Sequence, residues 1–275
     1  MSINITTLSE NTANTGYLAE WGLSILVTVD DLNILMDTGA SISTVHNADK
    51  LGIDLSEIDK IILSHGHYDH TGGLADVLRR TGPIDIFAHP DIFTAKYAHH
   101  EGKELYVGIP FSRTELESLG ARFKLSKEPV ILGEGIMTTG EVPLVTDFEQ
   151  VDREVFLKDG NKLLPDPLTD DLSLIIESKK GLIVILGCAH RGIINILRHA
   201  QRLTGKEKVY AAIGGAHLFR ASEDQVNQTI AALKSMGIEK LGMSHCTGFR
   251  AACRIARDMP DAFFLNNAGS CTSLV

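Results

Sequence analysis

The sequence predicts a layered α/β fold. Three observations carry the prediction. Short β-branched runs recur and end in Gly, Asp or Asn; two of them form a hairpin early in each half; later in each half they alternate with stretches of helical periodicity. The predicted strands are residues 23–29, 32–36, 61–63 and 84–88, then 172–177, 182–186, 209–213 and 238–243. Asp30-Asp31 is the turn of the first hairpin, and Ser178-Lys179-Lys180-Gly181 closes the second. Helical spacing covers 73–80, 192–203, 222–236 and 248–258. The third of these opens with a Ser222-x-x-Gln225 capping box and sets Val226, Ile230 and Leu233 on one face. The fourth stops before Pro260. Residues 90–130 read as an insertion of mixed character. Residues 146–171, with Pro165 and Pro167, read as a long loop, a feature that in a compact domain is usually functional or disordered.

The 275 residues are expected to form a single domain of two similar halves, about 1–140 and 141–275. A hydrophobic fraction of 44% is enough for a sizeable core. The formal charge of -9 disfavours a nucleic-acid partner, because phosphate backbones are held by clustered Lys and Arg. The first residues have neither a basic nor an apolar segment of a secretory signal, and no apolar run reaches the ~18 residues of a membrane span. Four cysteines form no CxxC pair. The expectation is a reduced, cytoplasmic protein with no membrane partner.

The chemistry concentrates in Ser64-His65-Gly66-His67-Tyr68-Asp69-His70-Thr71-Gly72-Gly73, where an apolar strand ends and a helix begins. Three imidazoles and a carboxylate within six residues are the ligand types of Zn, Fe and Mn sites. Ligands on a tight strand-to-helix turn converge on one point, and the glycines permit the sharp path. A chance histidine-rich surface turn is the competing reading, and four candidate ligands at this spacing outweigh it.

This His-x-His-x-Asp-His pattern after an apolar strand resembles the signature of the metallo-β-lactamase superfamily. Ile34-Leu35-Met36-Asp37-Thr38-Gly39 resembles the superfamily's first motif, and the resemblance runs in order to the C-terminus. It implies a four-layer αββα sandwich with metals at one edge between the sheets. It also implies two divalent ions, Zn first, with Fe or Mn suited to the same ligands. His65 and His67 would hold one ion, completed by His190; Asp69 and His70 would hold the other, completed by His245. Asp37 would orient a ligand rather than bind metal itself. Two features depart from the common pattern. The third motif reads Thr138-Thr139-Gly140-Glu141 with no histidine, and Cys188 stands where many members carry a bridging Asp.

Further stretches resemble the family of 7,8-dihydropterin-6-yl-methyl-4-(β-D-ribofuranosyl)aminobenzene 5′-phosphate synthases: Ala19-Glu20-Trp21-Gly22, Asp170-Asp171-Leu172-Ser173, Gly187-Cys188-Ala189-His190, Gly214-Gly215-Ala216-His217 and His245-Cys246-Thr247-Gly248. The leading functional expectation is a hydrolase of a small, phosphate-bearing molecule acting through a metal-bound hydroxide, since metals lower the pKa of bound water to about 7. The alternative is the C–N bond-forming synthase, with pyrophosphate displaced by an arylamine. A non-catalytic metal-bound sensor or scaffold is the reading of a different class, and a homodimer is compatible with any of these. Asp69 would also orient or deprotonate the water, and His217 would donate to the transition state. Arg191 and Arg250, each beside a helix N-terminus, are candidate substrate contacts together with Glu141. Cys188 and Cys246 flank the expected ligands. His89 is placed near the site, His99 and His100 are read as surface, and His46 and His199 have no supporting context.

Overall fold

In a computed structural model the described residues are 2–100, 102–152, 154–160 and 162–274. The largest sheet has seven strands, ordered Cys271–Ser273, Ile3–Ser9, Ser24–Val29, Leu32–Met36, Lys60–Ile62, Ile84–Ala88 and Ala121–Leu125. Its first three pairings are antiparallel and its last three parallel. The second sheet has six strands, ordered Lys240–Ser244, Val209–Gly215, Gly181–Leu186, Ser173–Ser178, Ile136–Thr138 and Ile131–Gly133. Both predicted hairpins form. Val29 pairs with Leu32 around Asp30-Asp31, and Ser178 pairs with Gly181. In the second half the chain then runs strand Gly181–Leu186, helix Ile193–Thr204, strand Val209–Gly215, helix Glu223–Ser235 and strand Lys240–Ser244, with parallel pairing throughout. Parallel neighbours need such crossovers.

The two sheets pack face to face because their strands are apolar on both sides with period two. On Gly181–Leu186, Ile183 and Ile185 meet Ile25, Val27, Ile34 and Met36 of the other sheet. The alternate residues Leu182, Val184 and Leu186 face helices Ile193–Thr204 and Glu223–Ser235 through Ile196, Leu197, Ile230 and Leu233. On the far side Leu26, Leu35 and Ile61 pack against helices Ser43–Leu51 and Leu74–Thr81 through Ala48, Leu74, Val77 and Leu78. The result is the αββα order of layers. Ser222 caps helix Glu223–Ser235 by accepting from the Gln225 amide, as its spacing predicts.

Several elements depart from the sequence reading, which also did not include helix Ser43–Leu51 or strands Ile131–Gly133 and Ile136–Thr138. Ile3–Ser9 is an interior strand of the large sheet, next to the edge strand Cys271–Ser273, although its Asn4, Thr6 and Thr7 gave no apolar run. Ala121–Leu125 continues that sheet beside Ile84–Ala88. Residues 146–171 are not a featureless loop. Val155–Asp159 and Lys162–Pro165 form a hairpin that pairs with the hairpin Lys96–His100 and Lys103–Tyr106, giving a third, four-stranded sheet. Pro165 ends the edge strand of that sheet, where a missing N–H costs no ladder bond. Among the described residues no helix is long and apolar enough to cross a membrane.

Candidate metal centre

The candidate side chains sit beyond the C-terminal ends of the parallel strands of both large sheets. Asp37 follows Leu32–Met36, the histidine turn follows Lys60–Ile62, and Cys188 and His190 follow Gly181–Leu186. His217 follows Val209–Gly215, and His245 follows Lys240–Ser244. This edge is where open α/β sheets place their ligands.

The histidine turn is held by close backbone approach. A Cβ at Gly66 would collide with the Ile92 carbonyl, one at Gly72 with the Ala40 carbonyl, and one at Gly73 with the Thr38 carbonyl. None of these backbone atoms is free to move aside. Gly66→Ala is therefore expected to cost about 1–3 kcal/mol. The check is a lowered denaturation midpoint together with reduced metal retention, because Gly66 lies between His65 and His67.

Two triads form. In the first, His65 Nε2 lies 2.9 Å from His67 Nδ1 and 3.2 Å from His190 Nε2. In the second, His245 Nε2 lies 3.2 Å from His70 Nε2 and 3.3 Å from Asp69 Oδ2. Each set of three donor atoms lies within 4.8 Å of one another, and all six residues are buried.

Surrounding groups decide which nitrogens carry protons. Ser64 Oγ donates to Asp37 Oδ2 at 2.7 Å, so it accepts from His65 Nδ1 at 2.9 Å. Asp37 Oδ2 accepts from His70 Nδ1 at 2.6 Å, and Asn11 Oδ1 accepts from His245 Nδ1 at 2.8 Å. With the Nδ1 protons placed, the Nε2 atoms of His65, His70 and His245 face the centre as its ligating positions. Nε2 of His70 and Nε2 of His245 face each other at 3.2 Å, a distance that requires either a proton or a metal cation between them. The electrostatics agree. Burial, reinforced by neighbouring imidazoles, holds His65 and His190 well below the ordinary histidine value, which leaves them neutral and able to ligate. His67 is pushed down to about 3, mainly by burial. Burial also opposes charge on His70, but Asp37 and Asp69 outweigh it and lift His70 to about 9, so without an ion its Nε2 holds a proton that a bound cation would replace. Burial raises Asp69, yet His70, His245 and His67 keep it below the usual carboxylate range and therefore ionised. The donor set fits divalent metal.

His67, Asp69, Cys188 and His190 line an open cleft of about 380 Å³. His217 stands over His190, ring centroids 4.0 Å apart, and its Nε2 meets Asp152 Oδ2 at 3.1 Å. Its Nδ1 is buried with no partner. Trp21, Tyr68 and Phe219 supply partly exposed aromatic walls, and the four-stranded sheet contributes Ala98, His99 and Val155.

The remaining candidates fall elsewhere. Arg191 spends its guanidinium on the carbonyls of Val142 (2.9 Å) and Pro167 (2.8 Å). Arg250 is largely exposed and paired with Glu223. Glu141 is bonded to His89 Nε2 at 2.9 Å and to Lys127 at 3.2 Å. None of the three lines the cleft. His199 is buried against the Thr139 carbonyl, and His46 is part-exposed on helix Ser43–Leu51. The side chain of His100 lies outside the described residues. Sequence reasoning missed Asp152, Asn11, Ser64 and Arg220. Ser64 adjoins the motif and was open to inference; Asn11 lies far from its partner in sequence and gives no local signal.

Comparison with known proteins supports the assignment. The family model of the metallo-beta-lactamase superfamily matches residues 22–245. A 7,8-dihydropterin-6-methyl-4-(beta-D-ribofuranosyl)-aminobenzene-5'-phosphate synthase of Methanocaldococcus jannaschii is 35% identical over 98% of this chain and 95% of its own length. A solved metal-dependent hydrolase of the beta-lactamase superfamily superposes with a TM-score of 0.86 at 29% identity, covering 99% of both chains. The Zn(2+)-bound PqqB of Methylobacterium extorquens shares the fold at a TM-score of 0.58 and 14% identity, covering 98% of this chain and 100% of its own. The chain is an enzyme that belongs to the metallo-β-lactamase superfamily.

Proposed function

We propose that the enzyme is a metal-dependent hydrolase of a small, phosphate-bearing molecule. His65, His67 and His190 would hold one divalent ion, and Asp69, His70 and His245 a second. The observation that carries this reading is that members of both triads line one open cleft beside the His217–Asp152 pair. When bound, the ions would supply Lewis acidity, activating water near neutral pH and neutralising an anionic group.

The chain's own residues supply the rest. Asp69, ionised and facing the cleft, would orient the water by accepting its hydrogen bond. Burial opposes charge on His217, but the hydrogen bond to Asp152 foremost outweighs it and holds His217 up at about 10. With Nε2 committed to Asp152, the unpartnered Nδ1–H is available to an anionic oxygen or a departing group. Arg220, over the Phe219 ring at 5.1 Å and paired with Glu154, adds a second cation at the wall. The aromatic walls suit a substrate that carries a planar ring as well as a phosphate.

The test is hydrolysis of phosphomonoesters, read as released phosphate, and of phosphodiesters, read as released alcohol, with and without chelator, by the native chain and by Asp152→Asn. The variant is expected to lose about 10²- to 10⁴-fold in kcat. The pH profile should move as well. A group with a raised pKa keeps its charged form below that value, so native activity persists to about pH 10. Without the Asp152 charge the alkaline limb falls toward the ordinary histidine range. Chelator-resistant turnover would remove the proposal.

A second reading is the synthase activity, favoured by near-full-length similarity to the Methanocaldococcus enzyme and by the aromatic walls. The same cleft would hold a dihydropterin pyrophosphate while an arylamine takes the place of water. Pyrophosphate released only when both substrates are present would select this reading; release without the amine would select hydrolysis.

A further inference from the structure

We propose that a second cavity, on the far side of Trp21 from the metal cleft, is a ring-binding site of the same active centre and takes an uncharged planar aromatic group. The inference rests on the metal-dependent reading above and adds a ligand position to it. The cavity, of about 490 Å³, lies between residues 10–12, the turn after strand Lys240–Ser244, the start of helix Phe249–Asp258 and residues 263–267. Like the metal cleft, it is large enough for a small ligand of its own. Backbone bonds fix its walls. The Ala268 amide donates to the Thr12 carbonyl at 2.9 Å, the Asn14 amide to the Ala268 carbonyl at 2.9 Å and the Phe264 amide to the Leu241 carbonyl at 3.0 Å. A cavity held in this way costs little ordering when it is filled.

Trp21 ties this cavity to the metal centre. It lines both spaces, is 48% exposed, and sets its ring 5.4 Å from that of His245. His245 turns Nε2 toward Asp69 and His70, yet it lines the second cavity together with Asn11, which holds its Nδ1. The lining selects the occupant. Phe249 is 87% and Leu265 68% exposed, so with Trp21 three large apolar side chains stand open to water around one hollow, the mark of a ligand groove. Phe263 and Met243 extend the apolar lining. Among the described residues no Lys or Arg lines this cavity, whereas Arg220 and His217 line the metal cleft. An anionic group is therefore drawn to the cleft and not to the cavity. Glu10 does not call for a cation either, because its Oε1 accepts from the His245 amide at 2.6 Å and its Oε2 from the Thr12 amide at 2.5 Å. The Asn11 oxygen is committed to His245, so what Asn11 can offer an occupant is its amide N–H₂. Aromatic and aliphatic walls, an amide donor and no free charge suit an uncharged ring with an acceptor on its edge. That ring can belong to the phosphate-bearing molecule or to a second reactant.

Trp21 is the one tryptophan of the chain, so its fluorescence reports occupancy beside it. The full chain, purified without chelator, is titrated with benzamide, an uncharged ring with a carbonyl on its edge, in the absence and presence of inorganic phosphate. A saturable change is expected, undiminished by phosphate. Ala252→Phe, which fills the cavity from helix Phe249–Asp258, is expected to weaken binding about tenfold or more, and Phe249→Ala about three- to tenfold. Metal per chain should be unchanged in both, and Phe249 is exposed enough to be truncated with the fold intact. Phenylphosphonate then separates the two sources of the ring. If it displaces benzamide where inorganic phosphate does not, the ring is part of the phosphate-bearing molecule; if benzamide stays bound, the ring belongs to a second reactant. Benzamide that does not bind, that phosphate displaces, or that binds the native chain and both variants equally would overturn the inference with the metal reading intact. A native chain without metal that still binds benzamide in this variant-sensitive way would remove the metal reading and leave the ring site standing.

Discussion

His67→Ala is expected to reduce turnover to the uncatalysed background and to lower metal content per chain, with the fold retained. His67 is the triad member with the least structural work to do. Its Nδ1 meets His65 Nε2 at 2.9 Å, its Nε2 has no protein partner, and its ring lines the cleft. Truncation enlarges an open cleft rather than creating a sealed void, so the stability cost should stay near about 1 kcal/mol. His70 would be a poor choice for the same test, because its ring is fully buried on Asp37. His245→Ala should deplete the other position, and His199→Ala, whose imidazole bonds the Thr139 carbonyl, should leave metal content unchanged. Elemental analysis, circular dichroism and turnover on one set of preparations decide it. Native-like metal content and activity in His67→Ala would remove the first triad from the mechanism.

How far the site was legible follows from how its parts are spaced along the chain. His65, His67, Asp69 and His70 lie on one turn, and His190 and His245 each follow an apolar strand, so local pattern was enough to nominate them. Asp37 was legible for the same reason, and its carboxylate does hold His70. The partner of His217 was not. Asp152 sits in a segment whose prolines read as loop, and only pairing with the 96–106 hairpin brings that segment to the cleft. Arg191 and Arg250 illustrate the opposite case. Proximity to a helix N-terminus is visible in sequence, but whether a long side chain turns toward the site or toward a nearby carbonyl or carboxylate is not. The fold followed the same division. Strands buried on both faces, such as Gly181–Leu186, announce themselves, whereas Lys103–Tyr106, exposed throughout, carries no pattern to read.

Lys96→Met is expected to be the most destabilising single change outside the metal residues, by about 3–5 kcal/mol. Lys96 reads as an ordinary surface lysine, yet it is 1% exposed and bonds Asp166 at 2.6 Å and Asp170 at 3.0 Å, both buried. Removing the cation strands two carboxylates in the interior, and that penalty, more than the lost attraction, sets the size of the effect. For a chain of this size the melting temperature should fall by roughly 10 °C. The sign of the pH dependence is fixed. Burial opposes charge on Lys96, but Asp170 and Asp166 outweigh it and raise its pKa, so its contribution is intact below the usual lysine value and fades only as pH climbs through the raised one. Burial raises Asp170 even with Lys96 in place, and losing the lysine raises it further. A carboxyl with a raised folded-state pKa favours the folded state as pH falls, so the variant's deficit should narrow between pH 8 and pH 5. There is also a functional consequence. Asp170 Oδ2 accepts from the Gly66 amide at 2.9 Å, and Gly66 lies between His65 and His67. Lys96 thus fastens the four-stranded sheet to the metal turn through one carboxylate, and metal affinity should drop about 10- to 100-fold with stability. Replacing Lys96, Asp166 and Asp170 together with apolar residues should recover much of the stability but not the metal affinity, since the Gly66 amide would remain unheld. A Lys96→Met chain that melts within about 2 °C of the native protein would show that the buried triad contributes nothing net.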